Sequence, residues 1–417
     1  MISPLHPLLA AWPRCSAQPV KLQVSNSAMA SLHRGHPWLY AERIKAESHQ
    51  GQPGDLAVVF DSKRRFVAVG LYDPLSAIRM RALRTSKPGP VDRAFFAERI
   101  AAALARRLSL SQTATDGYRM IHGESDGMPG MAVDRYSETA VVKLYTHAWL
   151  PHLHDCLVIL LEQQPLSRIV LRLSRGLKQD PQQLRGLADG QLVYGEPISE
   201  TLTFLENGLR FEVDPVRGQK TGFFLDQRDN RARVEQLAAG KRVLNVFSYN
   251  GGFSLAAARG GALEVTSLDQ SGPALASAQR NFALNDKDPA IAAARHLTIE
   301  GDAFNAMAAL LKQGKQYDMV IIDPPAFAVR RAQVKEALAS YGRLAHLGVS
   351  LLAPGGDLVL ASCSSPVSPE AFRQTMCDAA TRAGRPLSQI AETGHAIDHP
   401  LDFAESRYLK CLFAKAW

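Results

Sequence analysis

Apolar and polar positions alternate over short runs early in the chain, at Val20–Val24, Leu56–Phe60, Phe66–Leu71 and Ala77–Leu83, with Gly and Pro between the runs. A period of two over such lengths predicts half-buried strands, and several of them separated by turn residues predict a small β-barrel. Past the Lys87-Pro-Gly-Pro turn, a helical period covers Val91–Arg107. Tyr118–His122, Met131–Arg135 and Thr139–Tyr145 then read as a β-meander around the turn-rich Gly123–Gly130. A helix at Leu150–Gln163 and a strand at Arg168–Leu173 complete a second small unit, of α+β type. From Gly208 the texture changes to strands alternating with helices: Val243–Phe247, Phe253–Gly260, Glu264–Asp269, Gly272–Asn285, His296–Glu300, Ala303–Lys312, Met319–Asp323, a long helix, and Asp357–Ala361. Repeated β-α units of this length predict an α/β domain with a parallel, doubly wound sheet.

Composition narrows the class. At 417 residues the chain exceeds one ordinary core, which predicts about two to four domains. With 46% hydrophobic and 21% charged residues it is a folded globular protein and not a disordered one. No apolar run reaches the roughly eighteen residues of a membrane span. The segment MISPLHPLLAAWPRC has no basic leading region and only a short apolar run, so it reads as a ragged start and not as a signal peptide. Cys15, Cys156, Cys363, Cys377 and Cys411 are widely spaced and odd in number. That pattern predicts neither a metal site nor a disulfide framework, and it fits a reducing cytoplasm. The net charge is +8, and residues 1–100 hold fourteen Lys/Arg against seven Asp/Glu. A basic front module on a nearly neutral remainder suggests an anionic partner, nucleic acid first, beside the plainer reading of a solvated basic surface.

The densest chemistry lies between 243 and 323. Val243-Leu-Asn-Val-Phe-Ser-Tyr-Asn-Gly-Gly-Phe-Ser is an apolar strand ending in a Gly-containing turn that opens a helix. Such a turn lets backbone approach a ligand at the carboxyl edge of a parallel sheet. Asp269 ends the next strand, where an acid accepts the two ribose hydroxyls of an adenosine. Asp302 follows the third strand in Gly301-Asp-Ala-Phe, in reach of an adenine amino group, with Phe304 to flank the ring. Each piece alone is equally a tight turn or a helix cap. Three in order at consecutive strand ends predict a nucleoside cofactor, S-adenosylmethionine, and hence a methyltransferase.

The fourth strand ends in Asp323-Pro324-Pro325-Ala326-Phe327, where two prolines stiffen the loop and hold Asp323 toward whatever faces the methyl donor. One strand later comes Ser362-Cys363-Ser364. A lone cysteine at a strand end is ordinarily a small buried apolar group. Beside Asp323 and between hydroxyl residues, Cys363 has a second reading, because methylation at C5 of a pyrimidine requires a nucleophile. A thiolate added to C6 makes C5 nucleophilic, and an Asp323 carboxyl at N3 shares a proton as charge develops there. The base that removes the C5 proton is not identified. His395 and His399 read as structural.

Over Val20–Trp417 the chain resembles the bacterial 23S ribosomal RNA cytosine-C5 methyltransferases that carry an N-terminal PUA domain. The resemblance rests on Gly35-His-Pro-Trp-Leu-Tyr, Gly123-Glu-Ser-Asp-Gly-Met-Pro-Gly, Gly218-Gln-Lys-Thr-Gly-Phe-Phe-Leu-Asp-Gln-Arg, Phe247-Ser-Tyr-Asn-Gly-Gly-Phe, Asp323-Pro-Pro-Ala-Phe and Ser362-Cys-Ser. It implies a PUA-like barrel at 20–90, a central α+β domain at 91–205 and a Rossmann-like class I methyltransferase domain at 206–417. It also implies cofactor contacts at Phe247, Ser248, Gly252, Asp269, Asp302 and Asp323, with Cys363 as nucleophile and Asp323 beside it. Lys220, Thr221 and Arg228, with Pro324, Pro325 and Phe327, would line a cofactor or RNA entrance. The partner implied is 23S ribosomal RNA, with no membrane and no metal; the oligomeric state stays open, a homodimer included. Two alternatives remain at this point: methylation of guanine N7 or an amino group with Cys363 structural, and an RNA-binding protein on a methyltransferase fold without activity.

Overall fold

The computed structural model describes residues 5–198 and 200–417. The described residues form two compact units, one drawn from 5–204, 213–223 and 400–403, the other from 205–212, 224–399 and 404–417.

The first unit holds two sheets. A six-stranded mixed sheet runs in the order Trp38–Tyr40, Ile78–Thr85, Phe66–Tyr72, Leu56–Phe60, Val20–Val24, Ile44–Glu47. Val20, Leu22, Ala57, Val59, Val67 and Met80 are buried on its inner face. All four strands expected from alternation are present. Trp38–Tyr40 and Ile44–Glu47 were not anticipated, because three or four residues are too few to display a period. The register shifts between Val69 and Gly70 where Phe66–Tyr72 pairs with Ile78–Thr85. A Cβ on Gly70 would collide with the Arg81 carbonyl oxygen, so the two backbones approach only because that residue lacks one.

A five-stranded sheet follows, ordered Gln191–Tyr194, Arg168–Leu173, Thr139–Leu144, Met131–Tyr136, Gly117–His122. Its three sequential strands form the expected meander, and Arg168–Leu173 joins parallel after the helix Leu150–Gln163. Asp92 caps the helix Arg93–Ala105 by accepting from the Phe95 amide at 2.9 Å. Phe95, Phe96, Trp149, Leu153 and Leu157 pack with Val142 and Ile169 in one core. The chain start is a correction. Leu9 is buried in that core and the His6 amide donates to the Val193 carbonyl at 2.8 Å, so the described part of the first segment is packed and not ragged. Met1–Pro4 lie outside the described residues.

The second unit is built on a seven-stranded sheet in the order Arg295–Glu300, Glu264–Asp269, Arg242–Val246, Tyr317–Ile322, Leu352–Ser362, Lys410–Ala416, Leu387–Thr393. The first five are mutually parallel, and Lys410–Ala416 runs antiparallel to both of its neighbours. The central strands are apolar on both faces, as strands covered by helices on each side must be. Strand order reverses between Arg242–Val246 and Tyr317–Ile322, so the loops that follow these two strands diverge. In open α/β sheets that reversal is where ligands bind. Among the described residues no helix is long and apolar enough to cross a membrane.

Candidate active site

The strand Arg242–Val246 leads into a loop with two non-glycine residues in the left-handed region, Phe247 at φ 60° and Tyr249 at φ 49°. Each costs on the order of 1 kcal/mol and persists only where neighbours hold it. The holding bonds are present. The Ser248 amide donates to the Leu268 carbonyl at 3.0 Å, and the Tyr249 amide donates to the Asp269 carboxylate at 2.8 Å. Gly251 closes the turn at φ 78°, where a Cβ would lie 2.8 Å from that of Ala278. The helix Gly252–Arg259 starts directly after it.

Asp269 also accepts from the Ser271 amide at 2.9 Å, so its carboxylate joins the ends of two adjacent loops. Asp302 is exposed and caps the helix Ala303–Lys312, accepting from the Asn305 amide at 3.0 Å. Phe304 is half-buried, with the Arg343 guanidinium 4.6 Å from its ring centroid.

Two buried atoms in this edge have no hydrogen-bond partner within the protein, the Ser248 hydroxyl and the Asn245 side-chain carbonyl. Buried polar atoms are rarely left so. With strained backbone above them and an acid at the neighbouring strand end, they form a polar lining that a nucleoside cofactor fits. Phe247, Ser248 and Gly252 would offer backbone and hydroxyl groups, Asp269 a carboxylate for ribose, and Asp302 a carboxylate further along the same edge.

The Asp323–Phe327 and Ser362–Ser364 loops lie on the other side of the strand-order reversal. The Asp323 amide donates to the Val246 carbonyl at 3.3 Å, tying the end of Tyr317–Ile322 to the first loop. Pro324 is buried, whereas Pro325 and Ala326 are exposed. Phe327 packs on Tyr341, ring centroids 4.9 Å apart. Tyr341, from the helix Val334–Ser350, is the organiser that sequence reading missed. Its hydroxyl accepts from Ser362 at 2.8 Å and bonds Ser364 at 2.9 Å, and Ser364 in turn accepts from the Ala328 amide at 3.1 Å. Burial pushes this phenol up, so it stays a neutral hydrogen-bonding group. Between the two serines, Cys363 is half-buried with Sγ 4.0 Å from the Pro324 carbonyl oxygen. The Asp-Pro-Pro loop and the cysteine loop are therefore neighbours in space, as adjacent parallel strands require.

A second missed residue is Lys410, buried at the start of the last strand, whose Nζ donates to the Ser364 carbonyl at 2.7 Å and the Val367 carbonyl at 3.0 Å. A single lysine heading an apolar strand, Lys410-Cys-Leu-Phe-Ala, was the available signal.

The proposed entrance residues need revision. Arg228 is 1% exposed, and its guanidinium makes a bidentate pair with Asp398 at 3.0 and 2.9 Å. Thr221, in the first unit, is buried and donates to the Asp134 carboxylate. Neither side chain is presented to a ligand, because each serves its own core; Lys220 is exposed. His399 contacts Asp398 at 3.0 Å, and His395 accepts from the Leu409 amide at 3.2 Å, in keeping with structural roles.

Residues 173–387 match the family described as S-adenosylmethionine-dependent methyltransferase, and residues 22–85 match a PUA-like domain. The chain is 50% identical over 406 residues to a protein of Deinococcus radiodurans named ribosomal RNA large subunit methyltransferase, covering 96% of this chain and 98% of the relative. It is 35% identical over 407 residues to ribosomal RNA large subunit methyltransferase I of Shewanella denitrificans, covering 95% and 100%. Among solved structures, the fold is similar to SMU.776, a methyltransferase complexed with SAH, at TM-score 0.79 and 22% identity over 95% of this chain and 99% of that one. A methyltransferase from Streptococcus mutans matches at TM-score 0.75 and 22% identity over the same shares.

Proposed function

This chain belongs to the S-adenosylmethionine-dependent ribosomal RNA large subunit methyltransferases, and from that membership we propose that it methylates C5 of a cytosine in 23S ribosomal RNA through a cysteine adduct at C6. The observation that carries the reading is Cys363, half-buried beside the Pro324 carbonyl on the loop next to Asp323.

S-adenosylmethionine supplies an electrophilic methyl group. The Cys363 thiolate bonds to C6 of the base, and the displaced π electrons make C5 nucleophilic. The Asp323 carboxyl gives a proton to N3 as charge builds there and takes it back later. After C5 accepts the methyl group, with S-adenosylhomocysteine as the leaving group, a base takes the C5 proton, and the electron pair of that C–H bond restores the ring double bond and expels the thiolate. Tyr341 and the two serines keep the thiol loop in place throughout. The base must be unstacked for attack on C6, so it enters flipped or single-stranded. The basic residues of 20–90 dock the phosphate backbone, which makes RNA affinity fall with salt; 91–205 joins that module to the catalytic residues of 206–417.

Mass spectrometry of 23S ribosomal RNA nucleosides from cells with and without the protein tests the product. The expected result is loss of one 5-methylcytidine; loss of 7-methylguanosine or an N-methylated base instead would overturn the reading. The cofactor assignment has its own test. Asp269→Asn weakens an acceptor of two backbone amides as well as the ribose site. Calorimetric titration should show S-adenosylmethionine binding weakened by about ten- to a hundredfold. Unchanged binding would remove Asp269 from the cofactor site.

A further inference from the structure

Where Lys410–Ala416 pairs with Leu352–Ser362, Lys410 lies opposite Ser362, one residue before Cys363. It is 6% exposed. Lysines are almost never buried unless paired, yet both hydrogen-bond acceptors of this ammonium are carbonyls, those of Ser364 and Val367. Burial pushes the ammonium down to about 8, and the charge that pushes it back up is that of Cys363. Such coupling is mutual: an anion that favours the ammonium is itself favoured by it. Other titratable groups stand near, and the Arg233 guanidinium acts on the adjoining Cys411. Asp323 ends the neighbouring strand, Tyr341 faces in from the helix Val334–Ser350 with a phenol raised by burial, and Cys411 follows Lys410 with a thiol raised by burial and by Asp323. Lys410 is thus a positive charge bonded to the loop that carries the sulfur whose anionic form the proposed reaction requires.

We propose that Lys410 is the positioning residue of the nucleophile: its ammonium clamps the loop 363–367 through two carbonyls and favours the Cys363 thiolate over the thiol. The inference rests on Cys363 as the attacking group. In the step concerned, the S–H bond breaks, its electron pair stays on sulfur and the proton passes to solvent water; Lys410 keeps its own protons.

The test reads the alkylation rate of Cys363 by iodoacetamide against pH, by peptide mass spectrometry on the full chain without RNA. Wild-type Cys363 should titrate below the ordinary thiol value of about 8.5. In Lys410→Met the midpoint should rise, slowing alkylation at neutral pH about tenfold for each unit of rise, whereas Lys410→Arg should stay near wild type. A wild-type midpoint at or above the ordinary value overturns the proposal, and needs no variant, so a Lys410→Met chain that fails to bind S-adenosylmethionine does not remove the test. A Lys410→Met chain that loses turnover with an unmoved midpoint also overturns it, leaving a mechanical clamp. Normal methyl transfer by Cys363→Ala would instead remove the nucleophile reading, whatever the midpoint.

Discussion

Cys363→Ala is expected to bind S-adenosylmethionine as the wild type does while methyl transfer to RNA falls by at least about 10³-fold, the scale seen when a covalent nucleophile is removed. The structural cost of the change is small. The thiol is half-buried, and the bonds that shape its loop, from Tyr341 to Ser362 and Ser364 and from Lys410 to Ser364 and Val367, involve neighbouring residues. The proposed cofactor residues follow other strands, at Phe247–Gly252, Asp269 and Asp302. The result discriminates between chemistries. Guanine N7 and exocyclic amines attack a methyl donor with their own lone pair, so an N-methyltransferase would keep most of its rate without the thiol. A C5 enzyme cannot, because an unassisted pyrimidine C5 is too poor a nucleophile. RNA carrying 5-fluorocytidine at the target gives a second readout. Fluorine at C5 cannot leave as a proton does, so the wild type should be trapped as a protein–RNA adduct stable to denaturation, and Cys363→Ala should form none. Near-normal turnover by the alanine variant would sink the covalent mechanism and return Cys363 to a packing role. Absence of S-adenosylmethionine binding in the wild type would favour the inactive RNA-binding alternative.

The carboxyl-edge chemistry was legible because its signals are local. An apolar run followed by a glycine turn, and acids at the ends of the following strands, state in sequence order what the parallel sheet gathers in space. Glu264–Asp269 and Ala303–Lys312 fall where periodicity placed them. What periodicity did not supply were partners brought in from distant sequence. The final strands Leu387–Thr393 and Lys410–Ala416 were not read, and with them went Lys410, whose burial follows only from pairing beside Leu352–Ser362. Tyr341 was hidden for a related reason: it is one apolar position of an amphipathic helix, and nothing local says that its hydroxyl meets two serines more than twenty residues away. The Lys220–Arg228 stretch misled in the opposite direction. The family resemblance implies an entrance role for this stretch, but a charged residue's place in sequence does not report its burial, and Arg228 finds its carboxylate 170 positions on.

Arg228→Ala is therefore expected to act on stability before it acts on RNA. Its guanidinium and the Asp398 carboxylate are both buried, at 1% and 0% exposure. Removing one partner leaves the other charge in a low-dielectric interior, at a cost of about 3–5 kcal/mol. For a body of this size each kcal/mol lowers the melting temperature by roughly 2–4 °C, so the loss should approach about 10 °C or more by calorimetry. The pH dependence carries a further signature. Burial pushes the Asp398 carboxyl up, and His399 and Arg228 together overcome it and hold the group well below the usual carboxylate range. A carboxyl held low when folded contributes stability that is present above its unfolded value of about 3.9 and is lost as pH falls through the folded one. Without Arg228 the burial remains and one of the two opposing charges is gone, so the folded carboxyl rises. Acid unfolding of the variant should accordingly begin at higher pH than that of the wild type, with Arg228→Lys intermediate because it keeps charge but not the bidentate fork. If Arg228→Ala melted like the wild type yet bound RNA more weakly, the buried pair would be energetically idle and the entrance role would return to this residue.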